Sequence, residues 1–211
     1  MKKIIPLLLA FAIFSACDEL DPYLYRVFTM GNPQADGSLL GDDGVTYVFK
    51  DIPDWNDAKR VVAIMDVTKE VNEYRKEALL QSYTTPLSRK PVVVEGAMPD
   101  SLGTDPVMVS DAWYAGGYLN MSNVISVRSD GSGKHVINLA FDKGNSTPDT
   151  MLFYMKHNYA EGKDEVIPHN DYGFYSSFPL SGLMPERDST VIKICWNWDG
   201  TDTAITGKVK I

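Results

Sequence analysis

Two cysteines in 211 residues, Cys17 and Cys195, leave little scope for covalent cross-linking. An N-terminal signal, described below, assigns Cys17 to a lipid. Cys195 then stands alone, which excludes an intramolecular disulfide and a thiolate metal site. Histidine is nearly as scarce. His135, His157 and His169 lie at no spacing that matches a zinc motif such as His-Glu-x-x-His. Basic charge is also short, with 20 Lys and Arg against 28 Asp and Glu and a formal charge of −8. No basic stripe compensates, so nucleic acid, whose binding depends on neutralised phosphates, is not an expected partner. There is no Gly-x-Ser-x-Gly elbow and no glycine loop of the phosphate-cradling kind. No long segment repeats at the helical period. The expectation is no catalytic residue, no metal ligand and no cofactor.

Carboxylates are plentiful, and glycoside hydrolysis needs two of them roughly 5 to 10 Å apart across a cleft. No local feature marks such a pair. Asp42-Asp43 and Asp199/Asp202 lie in turn sequences, where Asp is favoured for its backbone hydrogen bonds. A carbohydrate hydrolase built on a carboxylate pair is therefore the alternative reading, and a purely structural envelope protein the third.

The only long apolar run is at the start. Lys2-Lys3 precede Ile4 to Phe14, and Ser15-Ala16-Cys17 follow. A short basic start, an apolar stretch too short to span a bilayer comfortably and small residues before the cut describe a signal peptide over residues 1–16. A Cys at that point makes it a bacterial lipoprotein signal, with Cys17 acylated. Acyl chains contribute roughly 0.8 kcal/mol per buried CH₂, so several of them form a firm membrane anchor. Loss of Lys2 and Lys3 with the signal deepens the formal charge of −8 by two. Residues 17–24 read as a tether. Its Asp18, Glu19 and Asp21 resemble the surface-export signal of lipoproteins in some Gram-negative anaerobes, whereas in other bacteria Asp after the Cys instead means inner-membrane retention. The expected location is the cell envelope, at the outer membrane, with the surface face as an extension of that reading.

The rest of the chain reads as strands. Tyr25–Met30, Val45–Phe49, Arg60–Met65, Ala78–Thr84 and Lys90–Glu95 are rich in β-branched and aromatic residues. Thr68–Glu77 lacks that periodicity and reads as a helical turn or two. Five strands in residues 25–97 suggest a small OB-like barrel. Gly and Pro cluster in the linker, 98–104. Residues 105–211 hold about seven short strands between polar turns, the pattern of an immunoglobulin-like antiparallel β-sandwich. The fold class is all-β. Its first sandwich hairpin turns at Gly116-Gly117 and places Trp113 in the core.

Four aromatics are candidates to face a ligand. Trp55 sits in a Pro/Asp loop, and Tyr172 follows a long polar loop. Trp196 and Trp198 share one face of a strand by period two, either as core or as a stacking surface. Cys195, between them in an alternating run, reads as a small buried hydrophobe. Asp100-Ser-Leu102, Asp149-Thr-Met151 and Asp188-Ser-Thr190 resemble an O-glycosylation triplet of exported proteins.

Several motifs occur in order: Gly103-x-Asp105-Pro106-Val107, Asp111-x-Trp113, Gly117-Tyr118-Leu119-Asn120, His135-x-Ile137-x-Leu139 and His157-Asn158. In order and spacing they resemble the C-terminal half of NigD-like lipoproteins. The resemblance is most specific from Gly103 to about Leu180. It departs at Tyr159, where the family often has Ala directly after His-Asn. It implies an OB-like domain and a β-sandwich on a lipid anchor, and an immunity or accessory role associated with a bacteriocin. It supplies no catalytic residues. The expected partners are the membrane, through Cys17, and an envelope protein, a bacteriocin or a glycan.

Overall fold

The computed structural model describes residues 24–161 and 168–211, whose regular elements are all strands apart from one 3₁₀ turn at Asp100–Leu102. Cys17 and the signal lie outside the described residues. Strands β1 (Tyr25–Pro33), β2 (Leu39–Gly41), β3 (Thr46–Phe49), β4 (Val61–Asn72) and β5 (Arg75–Thr84) close into a barrel in the order β1-β2-β3-β5-β4. β3 and β5 run parallel, and the other pairs are antiparallel. Val61, Ala63, Met65 and Val67 alternate inward along β4 and meet Leu39, Tyr47, Phe49 and Trp55 in the interior.

Three local expectations change. Leu39–Gly41 is a strand too short to show a period. Thr68–Glu77 is the continuation and hairpin of β4 and β5, not helical turns; a ladder pairs Lys69 with Glu77 and Asn72 with Arg75. Their charged side chains face solvent on both sides, so no alternation marks them. The apolar run Lys90–Glu95 does not enter the barrel at all. Val92–Val94 pairs with Ala140–Asp142 in the second unit.

That unit is a sandwich. Its further strands are β6 (Leu87–Ser88), β7 (Val92–Val94), β8 (Met108–Ala115), β9 (Tyr118–Arg128), β10 (Lys134–Asp142), β11 (Thr150–Glu161), β12 (His169–Pro179), β13 (Ser189–Trp198) and β14 (Thr201–Lys210). One sheet runs β14-β13-β11-β10-β7 and the other β6-β12-β9-β8. The sheets are mixed, because β6/β12, β7/β10 and β11/β13 are parallel pairs. The chain leaves β11 for the opposite sheet and returns as β13, which lands beside β11 in the same direction. Phe153 and Phe178, both fully buried, meet Leu139, Met151, Met155 and Ile194 between the sheets. Each such side chain stabilises the core by roughly 1.5–3 kcal/mol relative to an exposed one. The β8–β9 hairpin turns at Gly116 and Gly117, both at positive φ (60° and 84°), as a two-residue primed turn requires.

Candidate functional site

Two polar nodes order the molecule: one joins the barrel to the sandwich, and the other pins the linker to the sandwich. At the first, Arg60 enters from the start of β4 with a side chain only 1% exposed. Its guanidinium forks onto Asp42, with Nη1 to Oδ1 at 2.8 Å and Nη2 to Oδ2 at 2.7 Å. It also donates to Asn32 Oδ1 (3.0 Å), Asn120 Oδ1 (2.8 Å) and Ser177 Oγ (3.2 Å), and lies over the Tyr118 ring. Trp113 donates its indole N–H to Asp42 Oδ2 at 2.6 Å. Trp113 is thus a half-buried bridge to the barrel, not a sandwich-core residue, because its polar edge finds a carboxylate there. Arg60, Asp42 and Asn32 belong to the barrel, and the other partners to the sandwich.

At the second node the linker docks on β11. Gly103 (φ +83°) lies against the backbone of His157 and Asn158; an added Cβ would stand 2.3 Å from His157 O. Asp105 N donates to His157 O, and Asp105 Oδ2 accepts from Tyr159 N at 2.7 Å. His157 Nδ1 is 2.8 Å from Pro106 O, and its Nε2 is 2.9 Å from His135 Nδ1. A carbonyl only accepts, so His157 carries its proton on Nδ1. When neutral, it therefore receives one from His135 at Nε2. Burial, reinforced by His157, lowers the His135 pKa below the usual histidine value. Tyr159 stacks on His135 at 4.4 Å, and His169 meets Tyr159 edge-on at 6.2 Å. No group of three His, Cys, Asp or Glu among the described residues is arranged to hold a metal.

The four candidate aromatics part company. Trp55 is 7% exposed, wedged edge-on between Phe49 and Tyr83, with its indole N–H on Gly37 O at 3.0 Å. Trp196 is buried in the sandwich core, and Trp198 is half-buried against it. Period two placed those two on one face, and the face turned inward because Ile192 and Ile194 share it. Tyr172 alone is open, at 56% exposure. It stacks on Phe174 and, with Tyr175, lines a groove of about 430 Å³ where β12 passes the barrel. Ile125 and Ile137 form its floor, and Val62, Thr84 and Leu87 form its barrel end. Phe28, exposed and tilted against Tyr175 at 5.5 Å, continues the surface. Sequence reasoning passed over Phe28, although alternation in β1 sends Val27 inward and so Phe28 outward.

A second hollow, about 570 Å³, lies on the outer face of the five-stranded sheet and includes Tyr154, Lys156, Lys193 and Cys195. Cys195 is therefore not a core residue. Its neighbour Trp196 took the inward position, and the thiol is half-buried on the other face. Burial raises its pKa, so it is a poor nucleophile. The carboxylates at this hollow are already engaged: Asp105 by the Tyr159 N–H, and Asp202 by Asn197 Nδ2 at 3.0 Å.

Residues 90–206 match the family model described as the NigD-like C-terminal beta sandwich domain. The chain belongs to the NigD-like family. Solved structures share the fold across both units. A NigD-like immunity protein from Bacteroides caccae is 19% identical, with 88% of this chain and 97% of that one covered and a TM-score of 0.58. A protein of unknown function from Bacteroides vulgatus is 19% identical over 89% and 92%, at 0.68. A candidate lipoprotein from Bacteroides fragilis is 9% identical over 88% and 98%, at 0.66. No match was found among curated proteins. The residues that carry the NigD-like resemblance are largely those of the two nodes. Gly103, Asp105, Pro106, His135 and His157 form the linker node, and Trp113, Tyr118 and Asn120 the barrel node.

Proposed function

We propose that the chain is a lipid-anchored, non-catalytic binding protein of the bacterial cell envelope, with an immunity or accessory role toward a bacteriocin. Cys17 is the acylated residue, and the outer membrane, with its surface face, is the location. The observation that carries this reading is the groove at Tyr172, Phe174 and Tyr175. There Tyr172 is exposed, with Phe174 and Tyr175 half-buried, beside an apolar floor, and open apolar surface of that kind marks interaction sites. The Arg60 node supports it, because it ties the barrel to the sandwich and a groove shared by two units keeps its shape only if they cannot swing. The immunity name of the B. caccae protein and the lipoprotein name of the B. fragilis protein agree with it. Capture from native envelope extract on the chain starting after Cys17 tests it. A discrete partner should be retained by the wild type and lost with Tyr172→Ser/Phe174→Ser at unchanged melting temperature. Equal retention by both proteins would contradict the proposal.

A further inference from the structure

Among the described residues, the groove is bounded by unpaired strand edges as well as by side chains. β12 pairs with β9 along its whole length, from His169↔Arg128 to Pro179↔Tyr118. On its other side, among the described residues, it pairs only at Ser176 and Ser177, with Leu87 and Ser88 of β6. The chain leaves that row immediately, at Pro86, to join the barrel through Thr84. In the facing sheet β7 likewise covers only Ala140–Asp142 of β10. Both sheets therefore lose their edge neighbour on the same side of the sandwich, and the apolar slot opens between the two bare edges.

An extended strand directs alternate N–H and C=O groups to each side. From His169 to Tyr175 every second residue of β12 thus presents hydrogen-bonding groups that β9 does not use. This stretch contains no proline and no lysine, and its one carboxylate is Asp171, so it carries little of the usual protection of an exposed edge. Seven residues at about 3.3 Å each admit a partner segment of similar length. A strand laid in line with β6 would continue a row that Leu87 already begins. Its alternate side chains would point over Ile125 and Ile137, as Leu87 does at the groove's end.

Resting on the binding reading above, we infer that this groove takes an extended segment of another protein by strand addition to β12. The segment carries aliphatic or β-branched residues at alternate positions. Main-chain hydrogen bonds supply affinity in this mode, and the pockets for alternate side chains supply selectivity. The row that β6 begins and abandons is the reason to favour a peptide strand over a glycan or a second copy of the chain.

The test uses the chain starting after Cys17 and a pool of ten-residue peptides. Each has Val, Ile, Leu or Thr at odd positions and Ser or Thr at even ones. Peptides retained by the immobilised protein are identified by mass, and the tightest is remade in two N-methylated forms, one for each edge. The expected result is saturable binding that falls about tenfold or more when one edge is methylated. Methylation of the opposite edge should leave it within about twofold, and Phe174→Ala should weaken it at unchanged circular dichroism. Equal binding of both methylated forms overturns strand addition. So does retention of no peptide, or blocking of the edge by self-association in sedimentation. Should a panel of labelled oligosaccharides instead bind the wild type but not Tyr172→Ala, strand addition falls while the groove remains a binding site.

Discussion

Arg60 carries five N–H donors, and five hydrogen bonds leave its guanidinium, to Asp42 twice, Asn32, Asn120 and Ser177. A buried pair that is fully satisfied contributes geometry more than net stability, because desolvation offsets most of the attraction. Removing one partner is a different matter, since it strands a charge. Arg60→Met is expected to destabilise the chain by about 3–5 kcal/mol in urea unfolding. His135 gives a second prediction at this scale. Its folded pKa lies below the unfolded value, so the unfolded chain takes up a proton first as pH falls. The stability held above about pH 6.5 is then lost as pH drops through that range toward the folded pKa. Melting temperatures at pH 7.5 and 5 should fall further for the wild type than for His135→Gln. An equal fall would show that the half-buried His135 does not set the acid response.

The linker works as a docked segment. Gly103 has no room for a side chain against His157 and Asn158, and its φ of +83° disfavours one in any case. Gly103→Ala should therefore cost more than about 1 kcal/mol in thermal unfolding. Gly117→Ala, where an added Cβ meets nothing within 4 Å, carries only the conformational strain and should cost less. Most strands could be read from the chain because alternation and turn residues mark them. Val107, Leu119, Ile137, Phe153 and Ile194 all lie where their period puts them. Besides the three-residue strand Leu39–Gly41, two elements were not legible for physical reasons. A charged hairpin exposed on both faces, such as Lys69–Glu77, has no period to read. The run Val92–Val94 is equally apolar in a barrel or a sandwich, and only its ladder partner decides. The candidate site was partly legible. Tyr172 was named, but Trp55 and Trp196 were drawn into cores, since a large ring with one polar atom is satisfied by a single backbone acceptor or a half-open edge. The floor of the groove, Ile125 and Ile137, reads as ordinary core. Both are buried, and the groove over them comes from β6 and β7 being short, a feature of long-range pairing that no local pattern encodes.

The whole molecule is an acidic body of two β units joined through the buried Arg60 node, with a groove beside their joint. The proposed tether sets where that groove works. Cys17→Ala is expected to move the protein from the membrane fraction to the soluble one in the native host; unchanged fractionation would remove lipid anchoring from the account. The central claim is that partners meet this molecule at the groove. Photo-crosslinking in the living envelope tests it most directly, with benzoylphenylalanine placed at Tyr172 and, separately, at Cys195 in the hollow of the opposite sheet. The account predicts a discrete higher-mass adduct from position 172 and none from position 195. An adduct from position 195 with none from position 172 would contradict it.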